Sequence, residues 1–84
     1  MKEQLVQEIT TFLKTEVINN PNVVIGGDDP IIKQGLIDSM GIVRLVNHLQ
    51  KQYRIKQIER KDMVLDNFKT INRIAAVVSN YVSH

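Results

Sequence analysis

The chain has 84 residues, of which 43% are apolar, and it carries a formal net charge of +2. This length supports one small domain and excludes two. The absence of cysteine excludes a disulfide framework and thiolate chemistry. The mild charge permits an acidic partner but lacks the strong basic bias that is usual in nucleic-acid-binding domains. No run of eighteen apolar residues indicates a membrane span, and the start MKEQLVQEITTF lacks the features of a signal peptide, so we expect a cytoplasmic protein.

The first predicted element is an amphipathic helix near the N-terminus. Its apolar residues recur three or four positions apart, which is the spacing of one helix face. They are Leu5, Val6, Ile9, Phe12, Leu13 and Val17. We expect the helix to end near Asn19, Asn20 and Pro21, because proline cannot continue a helix and restricts the residue before it.

A long irregular stretch runs from Asn19 to Asp38 and contains the turn-forming sequences NNPN, GGDDP and QGL. A structureless loop of this length is uncommon inside a compact domain. We therefore predict a packed loop that its own apolar residues hold against the core. These are Val23, Val24, Ile25, Ile31, Ile32, Leu36 and Ile37.

The second helix is predicted from Ser39 to Tyr53. Its apolar stripe consists of Ile42, Leu45, Val46, Leu49 and Tyr53, and the polar side carries Arg44, Asn47, His48 and Lys51. The three basic residues are at i, i+4 and i+7 and project together. Such a face is a solvated surface, a docking surface for an acidic partner, or part of a DNA-reading helix-turn-helix. The long loop before this helix does not suit a helix-turn-helix, whose turn is short.

Two further helices are predicted. A short third helix covers about Lys61–Leu65, and a fourth begins after Thr70, which is a good N-cap. The buried face of the fourth helix consists of Ile71, Ile74, Ala75, Val78, Tyr81 and Val82. No segment of useful length alternates apolar and polar residues as a strand would. The sequence therefore predicts an all-α fold, a small four-helix bundle of three main helices and a short third helix, with a long first loop.

Enzymatic chemistry is not expected from this chain. A nucleophilic serine needs a base within hydrogen-bond reach. His48 follows Ser39 by nine residues on one helix, about 13 Å along the axis, and His84 is the last residue. There is also no G-x-S-x-G turn. We predict a non-enzymatic protein without catalytic residues.

No metal site is expected either. Asp28 and Asp29 are adjacent in a glycine-rich turn, and Asp62 and Asp66 are one helical turn apart, but neither pair completes a ligand set. Turn chemistry and helix capping account for these carboxylates. The pair Gly26-Gly27 does not complete a phosphate-binding motif.

The segment GLIDSMGIVRLVNHLQKQYRI resembles the prosthetic-group site of the acyl carrier and peptidyl carrier protein family, in which a Gly-x-Asp-Ser-Leu/Met step opens a helix. The matching positions are Gly35, Asp38, Ser39, Met40, Leu45, Val46, Leu49 and Tyr53. The segment DNFKTINRIAAVV is similar to the start of that family's last helix. The resemblance covers nearly the whole chain and implies a single stand-alone carrier domain over residues 1–84.

The resemblance implies that a separate transferase attaches 4′-phosphopantetheine from coenzyme A to Ser39. It also implies that Asp38 contributes to the magnesium site that the transferase uses. A phosphodiester suits a helix N-terminus, where free N–H groups and the macrodipole favour negative charge. The arm then supplies the thiol that the chain lacks and carries acyl or aminoacyl groups as thioesters.

The same resemblance implies partner contacts on the exposed side of the second helix. Partners are the phosphopantetheinyl transferase and enzymes that load and transfer the cargo, and neither nucleic acid nor membrane is expected. The contact residues are Met40, Val43, Arg44, Asn47, His48 and Lys51. Simple packing of Met40 is an equal alternative. We expect a monomer.

The chain departs from its relatives in bacterial fatty acid synthesis, whose second helix is acidic. No Asp or Glu lies between Ser39 and Gln57. Since electrostatic complementarity governs partner choice, we expect a dedicated polyketide, nonribosomal peptide or aminoacyl pathway. Gly41, which weakens the helix start, and the spacing of Ile55 and Ile58 without a following proline are further departures. The rival hypothesis is a small helical adaptor or nucleic-acid-binding domain that uses the basic face and has Ser39 only as a cap.

Overall fold

The computed structural model describes residues 2–82, and within this range the chain is all-helical, without strands. The α-helices are α1 (Lys2–Phe12), α2 (Ser39–Gln52) and α3 (Ile71–Ser79). They confirm the predicted first, second and fourth helices and the all-helical class. None of the helices in the described range is both long enough and apolar enough to cross a membrane.

One hydrophobic core holds the helices together, and α1 packs mainly against α3. The stripes predicted from the sequence form this core because residues three and four apart share one helix face. Its completely buried members are Leu5, Ile9, Leu13, Ile31, Leu45, Leu49, Ile71, Ile74, Ala75 and Val78. The molecule measures 32 × 22 × 19 Å along its principal axes.

The first helix ends in a way that the sequence did not predict. After Phe12 the chain continues as a π-helical segment, Leu13–Val17. Its wider turn is closed by the N–H of Ile18, which donates to the carbonyl of Leu13 at 2.7 Å. Asn19 then adopts a left-handed backbone conformation, with φ of 58°. The helix therefore ends where the sequence indicated.

The loop from residue 19 to 38 is packed, as predicted. Ile25, Ile31 and Ile37 are buried in the core, whereas Val24 is 87% exposed and does not hold the loop. Two backbone hydrogen bonds tie the loop to the chain around the start of α3. The N–H of Ile31 donates to the Lys69 carbonyl at 3.0 Å, and the N–H of Asn72 donates to the Gly27 carbonyl at 2.9 Å.

Gly27 approaches α3 so closely that a larger residue would have to displace the Asn72 side chain. A Cβ atom at this position would lie 2.6 Å from Nδ2 of Asn72. That same amide nitrogen donates to Oδ1 of Asp28 at 3.0 Å. The GGDDP turn therefore fixes one end of the loop onto α3.

The short third helix is not confirmed as an α-helix. Two 3-10 turns, Arg60–Asp62 and Leu65–Phe68, occupy this part of the chain. The buried side chain of Asn67 gives the physical reason, because its amide donates to the Asp62 carbonyl at 2.8 Å. In an α-helix that carbonyl would accept the N–H of Asp66. The Asp62 carbonyl thereby has a hydrogen-bond donor without a continuous α-helix.

Candidate functional site

The start of α2 is built around Asp38 and Ser39. Asp38 is the N-cap, with an extended backbone, and its Oδ1 accepts the N–H of Gly41 at 3.0 Å. Ser39 is the first helical residue and is exposed. Among the described residues its hydroxyl takes part in no hydrogen bond. The capping hydrogen bond therefore comes from Asp38, and Ser39 provides none among the described residues.

A tight turn before Asp38 determines where the helix starts. Gly35 has φ of +77°, a left-handed conformation that glycine adopts without steric cost. Its N–H donates to the Ile32 carbonyl at 3.0 Å, and the N–H of Leu36 donates to the Ile31 carbonyl at 3.0 Å. Since Ile31 is completely buried, the turn is anchored in the core. The backbone on the N-terminal side of Ser39 is thereby held in place.

Gly41 has a packing role on the other side of Ser39. It is buried, and a Cβ atom there would lie 3.0 Å from Cγ1 of Val17 and 3.3 Å from Cβ of Ile37. Glycine weakens the helix start, as expected from its helix propensity, but it lets the π-helical segment approach α2 closely. This contact also brings Val17 to the edge of the site.

A groove of about 520 Å³ opens beside Ser39. Its lining residues are Val17, Ile32, Gly35, Leu36, Ile37, Asp38, Ser39 and Leu65. The lining is mostly aliphatic, and Asp38 is its one ionisable member. From the sequence we expected Ile32, Leu36 and Ile37 to pack the loop, and their position at the border of Ser39 was not predicted. The available signal was their position directly before the Asp-Ser step.

Most of the predicted partner-contact residues lie on the open side of α2. Met40 is 65% exposed and Val43 is 46% exposed, so neither is a core residue. Arg44, Asn47 and Lys51 are exposed as well. Together these residues form a mixed apolar and basic face that begins one residue after Ser39.

His48 is placed differently from the other five. Its Nε2 lies 2.6 Å from Oε1 of Glu8, and its ring stacks on Phe12 with centroids 4.2 Å apart and planes inclined by 20°. The imidazole is half-buried and faces α1. The structure therefore does not group His48 with Arg44 and Lys51 as a free basic side chain. His84 lies outside the described residues.

The remaining carboxylates that the sequence analysis singled out have local partners. Asp29 accepts the N–H of Gly26 at 2.7 Å, and Asp66 pairs with Lys69 at 3.0 Å. Asp62 accepts the Tyr81 hydroxyl, which raises the pKa of that hydroxyl above its ordinary value. For Asp29 this confirms the predicted turn chemistry.

Comparison with protein-family models, curated proteins and solved structures finds no match for the chain.

Proposed function

We propose that the chain is a carrier protein of the acyl or peptidyl type and that Ser39 is its attachment site for 4′-phosphopantetheine. One observation carries this proposal. Asp38 caps α2, while Ser39, the next residue, presents an exposed hydroxyl that forms no hydrogen bond within residues 2–82. A serine that served only as a helix cap would occupy the position that Asp38 holds.

The surroundings of Ser39 suit a covalently attached phosphodiester. The Asp38 carboxylate accepts one N–H group of the first turn of α2, that of Gly41. The N–H groups of Ser39 and Met40 belong to the same turn. The N–H groups at a helix N-terminus favour a nearby anion. The groove leaves space next to the hydroxyl, and its aliphatic lining suits the apolar parts of an attached chain. When attached, the group supplies a thiol, which the cysteine-free chain lacks.

Asp38 has a second role in this proposal. Its Oδ1 is occupied by the cap, whereas Oδ2 accepts no hydrogen bond among the described residues. Carboxylate oxygens are preferred magnesium ligands. We therefore assign Oδ2 to the magnesium site that forms when the transferase binds the carrier. The same residue would thus place Ser39 at the helix start and help to load it.

The third helix, the partners and the pathway belong to the same proposal. The two 3-10 turns between Arg60 and Phe68 take the place of the short third helix of a four-helix carrier bundle. The partners are the transferase and enzymes that load and transfer acyl or aminoacyl groups, and the pathway is a specialised one in the cytoplasm. The lack of acidic residues in α2 supports the choice of a specialised pathway, since enzymes that bind an acidic helix would find no complementary charge here.

The test is enzymatic loading followed by intact-mass measurement. The purified protein is incubated with coenzyme A, magnesium and a broad-specificity phosphopantetheinyl transferase. We expect the mass to increase by one phosphopantetheine, and the Ser39→Ala variant to remain unmodified. Ser79→Ala is the matched control, because Ser79 lies on α3 and its hydroxyl bonds the carbonyl of Ala76. No adduct under conditions that load a known carrier would overturn the proposal and favour a helical adaptor.

A further inference from the structure

A second groove adjoins the one beside Ser39, and we name it the distal groove. It has a volume of about 330 Å³, and its lining residues are Pro30, Ile32, Lys33, Leu65 and Lys69. Ile32 and Leu65 line both grooves, whereas no residue of α2 lines the distal groove. The two grooves therefore meet at these two side chains and form one path that starts at the proposed attachment site.

The backbone holds the walls of the distal groove in place. One wall comes from the long loop and the other from the residues before α3. The N–H of Ile31 donates to the carbonyl of Lys69 at 3.0 Å and joins the two walls, and Ile31 itself is completely buried. On the loop side, the N–H of Gln34 donates to the carbonyl of Pro30 at 2.9 Å. A ligand therefore meets a groove that is already formed, which lowers the cost of binding.

The distal groove combines apolar walls with two cations. Its lining surface is almost entirely apolar, although Lys33 and Lys69 belong to it. A lysine side chain covers apolar surface with its methylene groups while its ammonium group stays in water. Leu65 adds an aliphatic side chain that is 65% exposed and lies outside the core. A ligand that matches both features has an apolar chain and an anionic end.

The two parts of the path differ in charge. Asp38 is the one ionisable residue that lines the groove beside Ser39, whereas the distal groove has lysines and no carboxylate in its lining. Lys69 pairs with Asp66 at 3.0 Å, but both side chains are mostly exposed. Exposed ion pairs of this kind contribute little, so Lys69 can exchange this partner for another carboxylate.

We propose that the distal groove holds the far end of the cargo and that this cargo is an acyl group with an apolar chain and a terminal carboxylate. The inference rests on the carrier function proposed above and specifies its substrate class. The chain packs on Ile32 and Leu65, and the ammonium groups of Lys33 and Lys69 attract the carboxylate. The same groups repel the free ammonium group of an aminoacyl cargo. The distal groove therefore favours acyl over aminoacyl cargo.

The test attaches model cargo without a transferase. Because the chain has no cysteine, the variant Ser39→Cys carries a single thiol, which forms a mixed disulfide with mercaptoundecanoic acid. Mercaptoundecanol and aminoundecanethiol provide chains of the same length with a neutral and a cationic end. NMR of the isotope-labelled full chain compares the amide shifts that each attached chain causes, and their size gives the ratio of bound to free chain.

We expect the carboxylate chain to cause the largest shifts in residues 31–33 and 65–69, and the amine chain to cause the smallest. Equal shifts from the three chains would overturn the proposal. Shifts that concentrate instead in the groove that Val43, Val46 and Met63 line would overturn it as well.

Charge variants locate the carboxylate. Lys33→Gln/Lys69→Gln should lower the bound-to-free ratio of the carboxylate chain about fivefold, since exposed charge contacts are individually modest. Lys51→Gln/Lys56→Gln is the matched control, because both lysines are exposed and line neither part of the path. Asp66→Asn releases Lys69 from its ion pair, so it should raise the ratio. Equal weakening by both double variants, or no rise with Asp66→Asn, would contradict the assigned position of the carboxylate.

Leu65→Ser removes an aliphatic side chain that both grooves share. We expect it to reduce the shifts from the carboxylate chain and from the hydroxyl chain alike. Val64→Ser is the matched control, because Val64 is 46% exposed and lines neither groove. Unchanged shifts in Leu65→Ser would show that the attached chain does not follow this path. Since the disulfide forms without a transferase, failure of this test and failure of enzymatic loading are separate results.

Discussion

Nε2 of His48 lies 2.6 Å from Oε1 of Glu8, and this contact joins α2 to α1 across forty residues of sequence. Phe12, one helical turn after Glu8, stacks on the same imidazole. Two neighbouring residues on one face of α1 therefore hold one side chain of α2, one by a polar contact and the other by ring packing.

The Glu8–His48 pair should contribute modestly to stability because both side chains remain about one-third exposed. In a double-mutant cycle of Glu8→Gln and His48→Gln, we expect a coupling energy of about 0.5 to 1 kcal/mol. Urea unfolding of the four proteins measures it. A cycle of Glu8→Gln with Arg44→Gln is the control and should show no coupling. Additive effects in the first cycle would contradict the pairing.

Asp38 should show separable effects on folding and loading. Asp38→Ala removes the cap and should lower the free energy of unfolding by about 1 kcal/mol. Asp38→Asn keeps a good cap but loses the charge, so its stability should stay within about 0.5 kcal/mol of the parent. If Oδ2 serves the magnesium site, Asp38→Asn should load at least about tenfold more slowly. Chemical unfolding and mass-detected loading rates measure the two effects. Normal loading of Asp38→Asn would remove Asp38 from the proposed transfer step.

Gly41 and Val17 should be coupled through their close approach. Gly41→Ala gains up to about 1 kcal/mol of helix propensity, but its Cβ atom would lie 3.0 Å from Cγ1 of Val17, and overpacking costs about 1 to 3 kcal/mol. We expect net destabilisation in the parent protein. In a Val17→Ala background the same substitution should destabilise less, since only the 3.3 Å contact with Cβ of Ile37 remains. Thermal or urea unfolding of the parent and the three variants measures this, and equal effects of Gly41→Ala in both backgrounds would show that the contact does not limit this position.

Sequence periodicity was sufficient for the three α-helices because their buried faces are regular, and the N-cap Thr70 was recognisable by residue type. The rival hypothesis made Ser39 the cap of α2, whereas Asp38 holds that position. Periodicity did not predict the π-helical segment, since inserting a wide turn depends on packing against α2. The sequence also suggested a short helix over residues 61–65, where the Asn67 side chain donates a hydrogen bond to the Asp62 carbonyl. That choice depends on burial of Asn67 and not on local propensity.

The Asp-Ser step was recognised from residue type, but the groove beside it was not. Leu65 belongs to this groove although it is 26 residues distant from Ser39 in the chain. Such a juxtaposition depends on how the loop and the 3-10 turns pack together. For the same reason the sequence placed His48 with Arg44 and Lys51, whereas its ring is held by α1.

Tyr81 should make stability sensitive to alkaline pH. Its hydroxyl donates to Asp62 and accepts the N–H of Glu59 at 3.2 Å. The hydrogen bond to Asp62, and then burial, raise the pKa of Tyr81 above its ordinary value of 10.0. Because the folded-state pKa is the higher one, this stabilisation is complete below pH 10 and is lost as the pH rises through the folded-state pKa.

The comparison of the parent with Tyr81→Phe isolates this effect. Urea unfolding at pH 8 should show the variant to be less stable, and the difference should shrink above pH 10. Absorbance titration of the phenolate should show one transition fewer in the variant, which retains Tyr53. Tyr53→Phe is the matched control and should leave the contribution of Tyr81 unchanged. A difference that stays constant from pH 8 to pH 11 would contradict the assigned hydrogen bond.

The π-helical turn at Leu13–Val17 contains one residue more than an α-helical turn over the same rise would contain. If residues 13–17 followed the regular α-helical path of 3.6 residues per turn, the Val17 side chain would be rotated about the axis of α1 away from its present direction. Val17 would then leave Gly41 and the border of the Ser39 groove. The shape of the groove beside Ser39 is thus set partly by a π-helical turn more than twenty residues upstream, in a segment that contains no residue of the Asp-Ser motif.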